Sequence, residues 1–164
     1  MNERYIKWHT PYLSREFEML AFGNGGGLPL ILFPTSGARY YENKDFGLVG
    51  SVAGHIDSGK ITVYCPDAID RKSLYNKSIH PADRMRTHNA YENVVVRDVF
   101  DLARRECDCH RVAVCGASLG AYHAGNILST PGFGEPLHQL ERLIRYQLVF
   151  RWLSRRQHLL QQPV

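Results

Sequence analysis

The sequence predicts an α/β fold in which a mainly parallel sheet is flanked by helices. A continuous apolar run at residues 28–33, together with two mainly apolar runs at 60–65 and 111–115, has the length and composition of strands buried on both faces. Residues 91–105 carry apolar side chains at helical spacing with charged residues between them. Buried strands that alternate with helices in this way are typical of a parallel sheet.

The elements follow one another from the N-terminus as strand, loop and helix. Residues 5–8 and 15–22 are expected to form an antiparallel pair at the edge of the sheet. The first buried strand, residues 28–33, ends at a turn that begins with Pro34, and the second, residues 60–65, ends at Pro66.

A polar loop rich in Asn, His and Pro is expected from about residue 67 to residue 89, followed by the helix over 91–105. The third buried strand, residues 111–115, runs directly into a glycine, and residues 121–128 are predicted to be helical. Cys107-Asp108-Cys109-His110 contains metal-ligand types, but its spacing is too short for a structural zinc site and no second pair exists. We therefore expect a turn there, with neither a metal nor a cofactor.

Composition limits the possible partners. The chain has 164 residues, of which 44% are hydrophobic and 22% charged, and this balance is typical of a globular protein. No segment approaches the roughly 20 apolar residues of a membrane span, and the N-terminus lacks the apolar run of a signal peptide. The arginines of the last quarter are interpreted as a solvated helix face. We expect a cytoplasmic protein that binds neither nucleic acid nor a membrane.

The segment Gly116-Ala117-Ser118-Leu119-Gly120 lies between a predicted buried strand and a predicted helix. A serine hydroxyl is a weak nucleophile unless a turn exposes it and aims it at a carbonyl group. A sharp strand-to-helix turn does this, and its flanking glycines let the two backbones pass closely. Ser118 is therefore the predicted catalytic nucleophile, with the backbone N–H of Leu119 as one donor to the oxyanion.

A second oxyanion donor is expected from the loop after the first buried strand. Thr35-Ser36-Gly37-Ala38 consists of small residues that would let the main chain approach a substrate carbonyl. The sequence leaves open whether the donor is the amide of Ser36 or that of Ala38.

With these motifs in place, residues 30–126 resemble a family of small bacterial esterases related to esterase D and to the acetyl-esterase and mycolyltransferase group. The matching pieces lie in the same order in the chain, at residues 33–37, 41–47, 65–70, 73–77, 80–81, 86–92 and 115–124. The resemblance implies an α/β-hydrolase fold and a Ser–Asp–His triad that cleaves carboxylic esters through an acyl-enzyme. It also implies that His80 and His88 belong to a loop near the mouth of the site, where substrate contact is favoured over the alternative that one of them, or His138 or His158, reaches Ser118 as its base.

The sequence departs from this family after the nucleophile. In α/β-hydrolases the acid and the histidine follow the serine on later strands, yet no aspartate follows Ser118 here. Glu135 and His138 have the right order but are too close to Ser118 in sequence. His123 lies five residues beyond Ser118 in the predicted helix, and it is interpreted as a buried packing or hydrogen-bonding residue. The other later histidine is His158.

The chain is accordingly divided into an N-terminal part of an α/β-hydrolase domain, residues 1–130, and a Leu-, Arg- and Gln-rich tail, residues 131–164, which is predicted to be helical. The tail either replaces the missing strands with amphipathic helices or results from a lost reading frame or truncation, and the second explanation is favoured. A sheet that is incomplete on this C-terminal side leaves an open edge. Self-association through that edge is a possible consequence.

The leading hypothesis is a serine carboxylic-ester hydrolase that acts on short acyl esters or lactones. The alternative is a non-catalytic binding protein derived from part of an esterase domain. The strand–serine–helix arrangement favours the enzyme, whereas the missing acid and histidine favour the alternative.

Overall fold

The sheet begins with the antiparallel pair expected from the sequence. In the computed structural model, which describes residues 1–129, β1 spans Glu3–Thr10 and β2 spans Arg15–Phe22. β1 is the outer strand, and its burial alternates along its length, whereas β2 is buried from Met19 onward. One face of β1 therefore contacts the core while the other contacts solvent.

The three predicted buried strands follow as β3 (Leu28–Phe33), β4 (Ile61–Pro66) and β5 (Ala113–Gly116). The order across the sheet is β1-β2-β4-β3-β5. β2 pairs with β4 antiparallel, whereas β3 pairs in parallel with both β4 and β5. Of the five strands in the described part of the chain, β2 alone runs against the others, and the predicted α/β fold class is confirmed.

Helices cover both faces of this sheet. Three short helices lie between β3 and β4: α1 (Glu42–Asp45), α2 (Leu48–Ser51) and α3 (Ala53–Asp57). Val49 and Ile56 from this layer pack against Leu32 and Val63 of the strands. On the opposite face lie α4 (Pro81–Asn93), a π-helical segment (Val94–Val99), α5 (Phe100–Cys107) and α6 (Leu119–Ser129). Phe33 and Tyr64 are buried against these helices.

The polar region expected to be a loop up to residue 89 is partly helical, so that prediction was wrong. Helix α4 begins at Pro81, and the His80 Nδ1 atom accepts a hydrogen bond from the Ala82 N–H at 3.2 Å. Proline at the first helical position and a side-chain cap are ordinary helix-start features. The predominantly polar residues of α4 lack the apolar periodicity that identified the next segment.

Two further expectations concern membrane spans and the C-terminal tail. No helix within residues 1–129 combines the length and apolar character needed to cross a membrane. The tail assigned to residues 131–164, together with Glu135, His138 and His158, lies outside the described part of the chain.

Candidate functional site

The site is built on the turn between β5 and α6. β5 ends at Gly116, α6 begins at Leu119, and the intervening Ser118 is exposed to solvent. Its φ angle is 56°, in the left-handed region that disfavours side chains by about 1–2 kcal/mol. Strain of this kind is concentrated at functional sites, where the surrounding structure enforces it.

The glycines that flank this turn occupy positions where a side chain would collide with main chain. A Cβ atom on Gly116 would lie 2.4 Å from the carbonyl carbon of Gly120. A Cβ atom on Gly120 would lie 2.6 Å from the Pro34 carbonyl oxygen and 2.7 Å from that of Phe33. The end of β3 is thus in close contact with the start of α6, which brings the loop after β3 to the serine turn.

The first turn of α6 leaves one amide without an acceptor among the described residues. The Gly120 N–H donates to the Ala117 carbonyl at 2.9 Å, and the Ala121 N–H donates to the Ser118 carbonyl at 3.0 Å. Within residues 1–129, the N–H of Leu119 has no acceptor. An unpaired N–H at the positive end of a helix is suited to an anionic oxygen.

The loop after β3 has a similar division between paired and unpaired amides. The Thr35 N–H donates to Glu42 Oε2 at 2.6 Å, the Gly37 N–H donates to Asp70 Oδ2 at 3.1 Å, and the Ala38 N–H donates to the Thr35 carbonyl at 3.2 Å. The Ser36 N–H has no acceptor in the described part of the chain. Of the two predicted donors in this loop, only Ser36 therefore retains an uncommitted amide.

Side chains from three other segments hold this loop in place. Thr35 Oγ1 donates to Glu42 Oε1 at 2.6 Å, and the Tyr75 hydroxyl donates to Ser36 Oγ at 3.0 Å. Asp70 is 2% exposed, and its second oxygen lies 3.2 Å from His123 Nε2. The Asp70 carboxylate therefore links the loop at Gly37 to helix α6.

Sequence reasoning did not assign these roles to Glu42, Asp70 or Tyr75. Each lies in a segment that carried the family resemblance, and that resemblance was the sequence feature that could have pointed to them. Their contacts join positions up to 53 residues apart, and no local pattern specifies such pairings.

Arg39 and Asp67 fix the chain just beyond the loop. The Arg39 Nε–H donates to both oxygens of Asp67, at 2.7 and 2.9 Å, and Arg39 also pairs with Glu18. Burial raises the pKa of Asp67, and its contacts with Arg39 offset part of that rise. The hydrogen bond to Asp67 in turn raises the pKa of Arg39.

The histidines of the described residues do not complete a triad with Ser118. His123 is 1% exposed and contacts Asp70, in agreement with its interpretation as a buried hydrogen-bonding residue. His88 is also 1% exposed: it lies in α4 with its Nε2 atom 3.3 Å from Glu92 Oε1, not in a loop that contacts substrate. No hydrogen bond joins the Ser118 hydroxyl to an imidazole within residues 1–129.

The segment with two cysteines forms a turn between a helix and a strand. Cys107 is buried at the end of α5, and Asp108 follows in the left-handed conformation with a φ angle of 46°. Among the residues that the structure describes, no group of three or more His, Cys, Asp or Glu side chains is arranged to hold a metal ion.

Comparison with known proteins gives structural similarity only. No protein-family model matches the chain, and a search of curated protein sequences finds no match. An S-formylglutathione hydrolase from Staphylococcus aureus is similar with a TM-score of 0.53 and 12% identity, over 74% of this chain and 50% of that one.

Two further solved structures have the same relationship to the chain. A CE1 ferulic acid esterase from Anaeromyces mucronatus has a TM-score of 0.56 and 11% identity, over 77% of this chain and 53% of its own. An S-formylglutathione hydrolase from Agrobacterium tumefaciens has a TM-score of 0.57 and 13% identity, over 77% and 52%. The protein therefore has an α/β-hydrolase-like fold, and it spans about half the length of the esterase and hydrolase structures that it matches.

Proposed function

We propose that the protein is a serine carboxylic-ester hydrolase that acts on short acyl esters or lactones. The observation that carries this proposal is the exposed, left-handed Ser118 between β5 and α6, with the uncommitted amides of Leu119 and Ser36 on the two adjoining segments. A nucleophile with two N–H donors nearby is the arrangement that acyl transfer requires.

In the proposed reaction, the Ser118 oxygen attacks the carbonyl carbon of the ester and gives its proton to a base. The developing negative charge on the carbonyl oxygen is stabilised by the N–H groups of Leu119 and Ser36. The bond to the alcohol oxygen then breaks, and the alcohol leaves with a proton. Water attacks the acyl-enzyme by the same route, releases the acid and restores the serine. A lactone differs only in that its alcohol stays attached to the acyl group.

We assign Ser36 rather than Ala38 as the second donor because the Ala38 amide is bonded to Thr35 within the turn. No described histidine contacts Ser118, so the proposal assigns no base within residues 1–129. Enzymes of this type that lack a triad member retain roughly 10³–10⁴-fold acceleration over water from the oxyanion hole and substrate binding. Measurable turnover of reactive esters is therefore expected even without an imidazole base.

The test compares the protein with its Ser118→Ala variant on p-nitrophenyl acetate, p-nitrophenyl butyrate and a lactone. We expect the variant to lose about tenfold in kcat/KM, which is the part of the turnover that passes through the Ser118 acyl-enzyme, while the part that comes from the oxyanion hole and binding persists in both proteins. Ser129→Ala is the matched control: Ser129 is an exposed serine at the other end of α6, and its hydroxyl donates to the Gly125 carbonyl at 2.9 Å. This control should retain the activity of the unsubstituted protein.

A second measurement examines the nucleophile directly. An aryl organophosphate should add one phosphoryl group to the protein and to Ser129→Ala, and none to Ser118→Ala, as read from intact mass. Equal ester turnover by all three proteins, with no adduct on Ser118, would reject the esterase. That result would leave the non-catalytic binding protein, which the absence of an imidazole beside Ser118 within residues 1–129 favours.

A further inference from the structure

A cleft opens next to the loop that carries Ser36. Its volume is about 430 Å³, and Gly37 and Ala38 form part of its wall. Four cationic side chains, Arg15, Arg39, Arg71 and Lys72, line it together with two carboxylates, Asp67 and Asp70. The volume lies within the range typical of small-molecule sites.

The two carboxylates of the cleft are already committed to protein partners. Asp67 accepts two hydrogen bonds from Arg39 and one from the Tyr40 N–H, and Asp70 is bonded to Gly37 and His123. Their charges are therefore compensated, or their oxygens occupied, before any ligand enters.

Three cations of the cleft have no carboxylate partner among residues 1–129. Arg71 and Lys72 make no ion pair, and Arg15 makes only a hydrogen bond from its Nε–H to the carbonyl of Glu16. Both Arg71 and Lys72 are exposed to solvent. The cleft therefore offers uncompensated positive charge, to which an anion of complementary shape can bind.

Arg71 connects this charge to the proposed oxyanion loop. Its Nε atom lies 3.5 Å from the point that a Cβ atom on Gly37 would occupy, so the guanidinium lies against the loop main chain. The same loop contacts the serine turn through Pro34 and Gly120. A substrate whose ester is held at Ser36 and Ser118 could thus extend a second group toward Arg71.

We propose that this cleft binds a carboxylate on the substrate, so that the preferred esters carry a negative charge. Arg71 is the principal contact because a planar guanidinium binds a carboxylate with two parallel hydrogen bonds, and Lys72 and Arg15 add charge. This inference rests on the proposed esterase function, and it names the substrate class of the same site.

The first experiment measures binding without turnover. In the Ser118→Ala background, 4-acetoxybenzoate and its neutral methyl ester are titrated by calorimetry into the protein, into Arg71→Gln and into Lys60→Gln. Lys60→Gln is the matched control, since Lys60 is an exposed cation that precedes β4, outside the cleft lining. We expect Arg71→Gln to bind 4-acetoxybenzoate about tenfold more weakly, with no change for the methyl ester or for the control.

The second experiment measures kcat/KM for the same two esters with Ser118 present. Arg71→Gln should lower the ratio of charged to neutral ester by about tenfold, and Arg71→Lys should lower it less, because it keeps the charge but not the paired hydrogen bonds. Unchanged affinity and an unchanged ratio in Arg71→Gln would overturn the inference. Failure of the esterase itself has a different signature: equal turnover by the protein and Ser118→Ala, whatever Arg71 does to binding.

Discussion

At the scale of single residues, the geometry of the serine turn depends on the absence of two side chains. Gly116 and Gly120 leave room for the backbones of β3, β5 and α6 to approach one another, and Ser118 is held in a left-handed conformation between them. The sequence motif predicted the roles of these three residues because they lie within five consecutive positions of the chain. The bonds that Glu42 and Asp70 make to the neighbouring loop were not predictable, because they join remote segments through side chains.

The close approach at Gly120 makes a direct prediction. In Gly120→Ala the new methyl group would lie 2.6 and 2.7 Å from the carbonyl oxygens of Pro34 and Phe33, both of them main-chain atoms. Since neither oxygen can move without shifting the end of β3, we expect the free energy of unfolding to fall by about 1–3 kcal/mol or more. Urea denaturation followed by circular dichroism measures this loss.

The control for that prediction is Gly50→Ala, in the short helix α2. A Cβ atom on Gly50 would meet no atom within 4 Å, and the residue has no left-handed φ angle. Alanine there should leave stability unchanged or raise it by up to about 1 kcal/mol. If both variants were equally stable, the close packing of α6 against β3 would be refuted.

At the scale of elements, side-chain hydrogen bonds connect the outer strand β1 to α5 and to the π-helical segment. Arg4 of β1 makes two hydrogen bonds to Glu106 of α5, at 2.9 and 2.6 Å, and the Tyr64 hydroxyl of β4 donates to the same carboxylate at 2.8 Å. Trp8 of β1 also donates to Asp98 Oδ2 at 2.9 Å. Helix α5 is thus bonded to two strands through a single carboxylate.

The helices on this face of the sheet were only partly predicted from the sequence. Apolar spacing predicted a helix over residues 91–105, but it missed α4 and gave no sign of the π-helical segment Val94–Val99. The sequence of α4 is mostly polar and so shows no apolar face, although Tyr91 and His88 of this helix are buried in the core. The three consecutive buried valines at 94–96 are accommodated by a backbone that departs from the regular α-helix, which a spacing rule based on 3.6 residues per turn does not anticipate.

The Arg4–Glu106 contact predicts a pH-dependent contribution to stability. Hydrogen bonding from Arg4 lowers the pKa of Glu106 below its ordinary value of 4.5. Because the folded-state pKa is the lower one, this stabilisation is present at neutral pH and is lost as the pH falls through the folded pKa. We expect Glu106→Gln to lower the free energy of unfolding at pH 7 by about 1 kcal/mol, allowing for the partial exposure of the pair.

The corresponding measurement is urea unfolding at pH 7 and again at a pH well below 4.5, where the difference between the protein and Glu106→Gln should shrink. Glu16→Gln serves as the control, since Glu16 is an exposed carboxylate on β2 whose contacts with Lys7, at 4.0 Å, and His9, at 3.7 Å, are longer and more exposed than the Arg4–Glu106 pair. A Glu106→Gln deficit that stayed constant at both pH values would show that the contact does not depend on the charge of the carboxylate.

At the scale of the whole molecule, the two faces of the sheet are covered unequally. The larger core lies under α4, α5 and α6, and the smaller one lies under the three short helices. The segments that form the strands were predictable from the sequence, because buried strands are continuous or mainly apolar runs that end at turn residues. The order β1-β2-β4-β3-β5 was not predicted, because it depends on crossovers that bring β4 between β2 and β3.

That order gives the strands different numbers of partners. β4 is hydrogen-bonded to β2 on one side and β3 on the other, whereas β5 pairs only with β3 within residues 1–129. Amide hydrogen exchange should therefore be slowest in β4 and measurably faster in β5, where the outward-facing N–H groups of the strand have no described acceptor. Mass spectrometry of peptides that cover Ile61–Pro66 and Ala113–Gly116 can compare the two strands.

The same experiment at two protein concentrations tests self-association through the β5 edge. If a second copy pairs with that edge, protection of the β5 peptide should rise with concentration while that of the β4 peptide stays constant, since antiparallel or parallel pairing would give acceptors to the outward N–H groups. Unchanged protection of β5 across a tenfold range of concentration would contradict pairing between copies. Strong protection of β5 at every concentration would contradict the open edge itself, because its amides would then be bonded within a single chain.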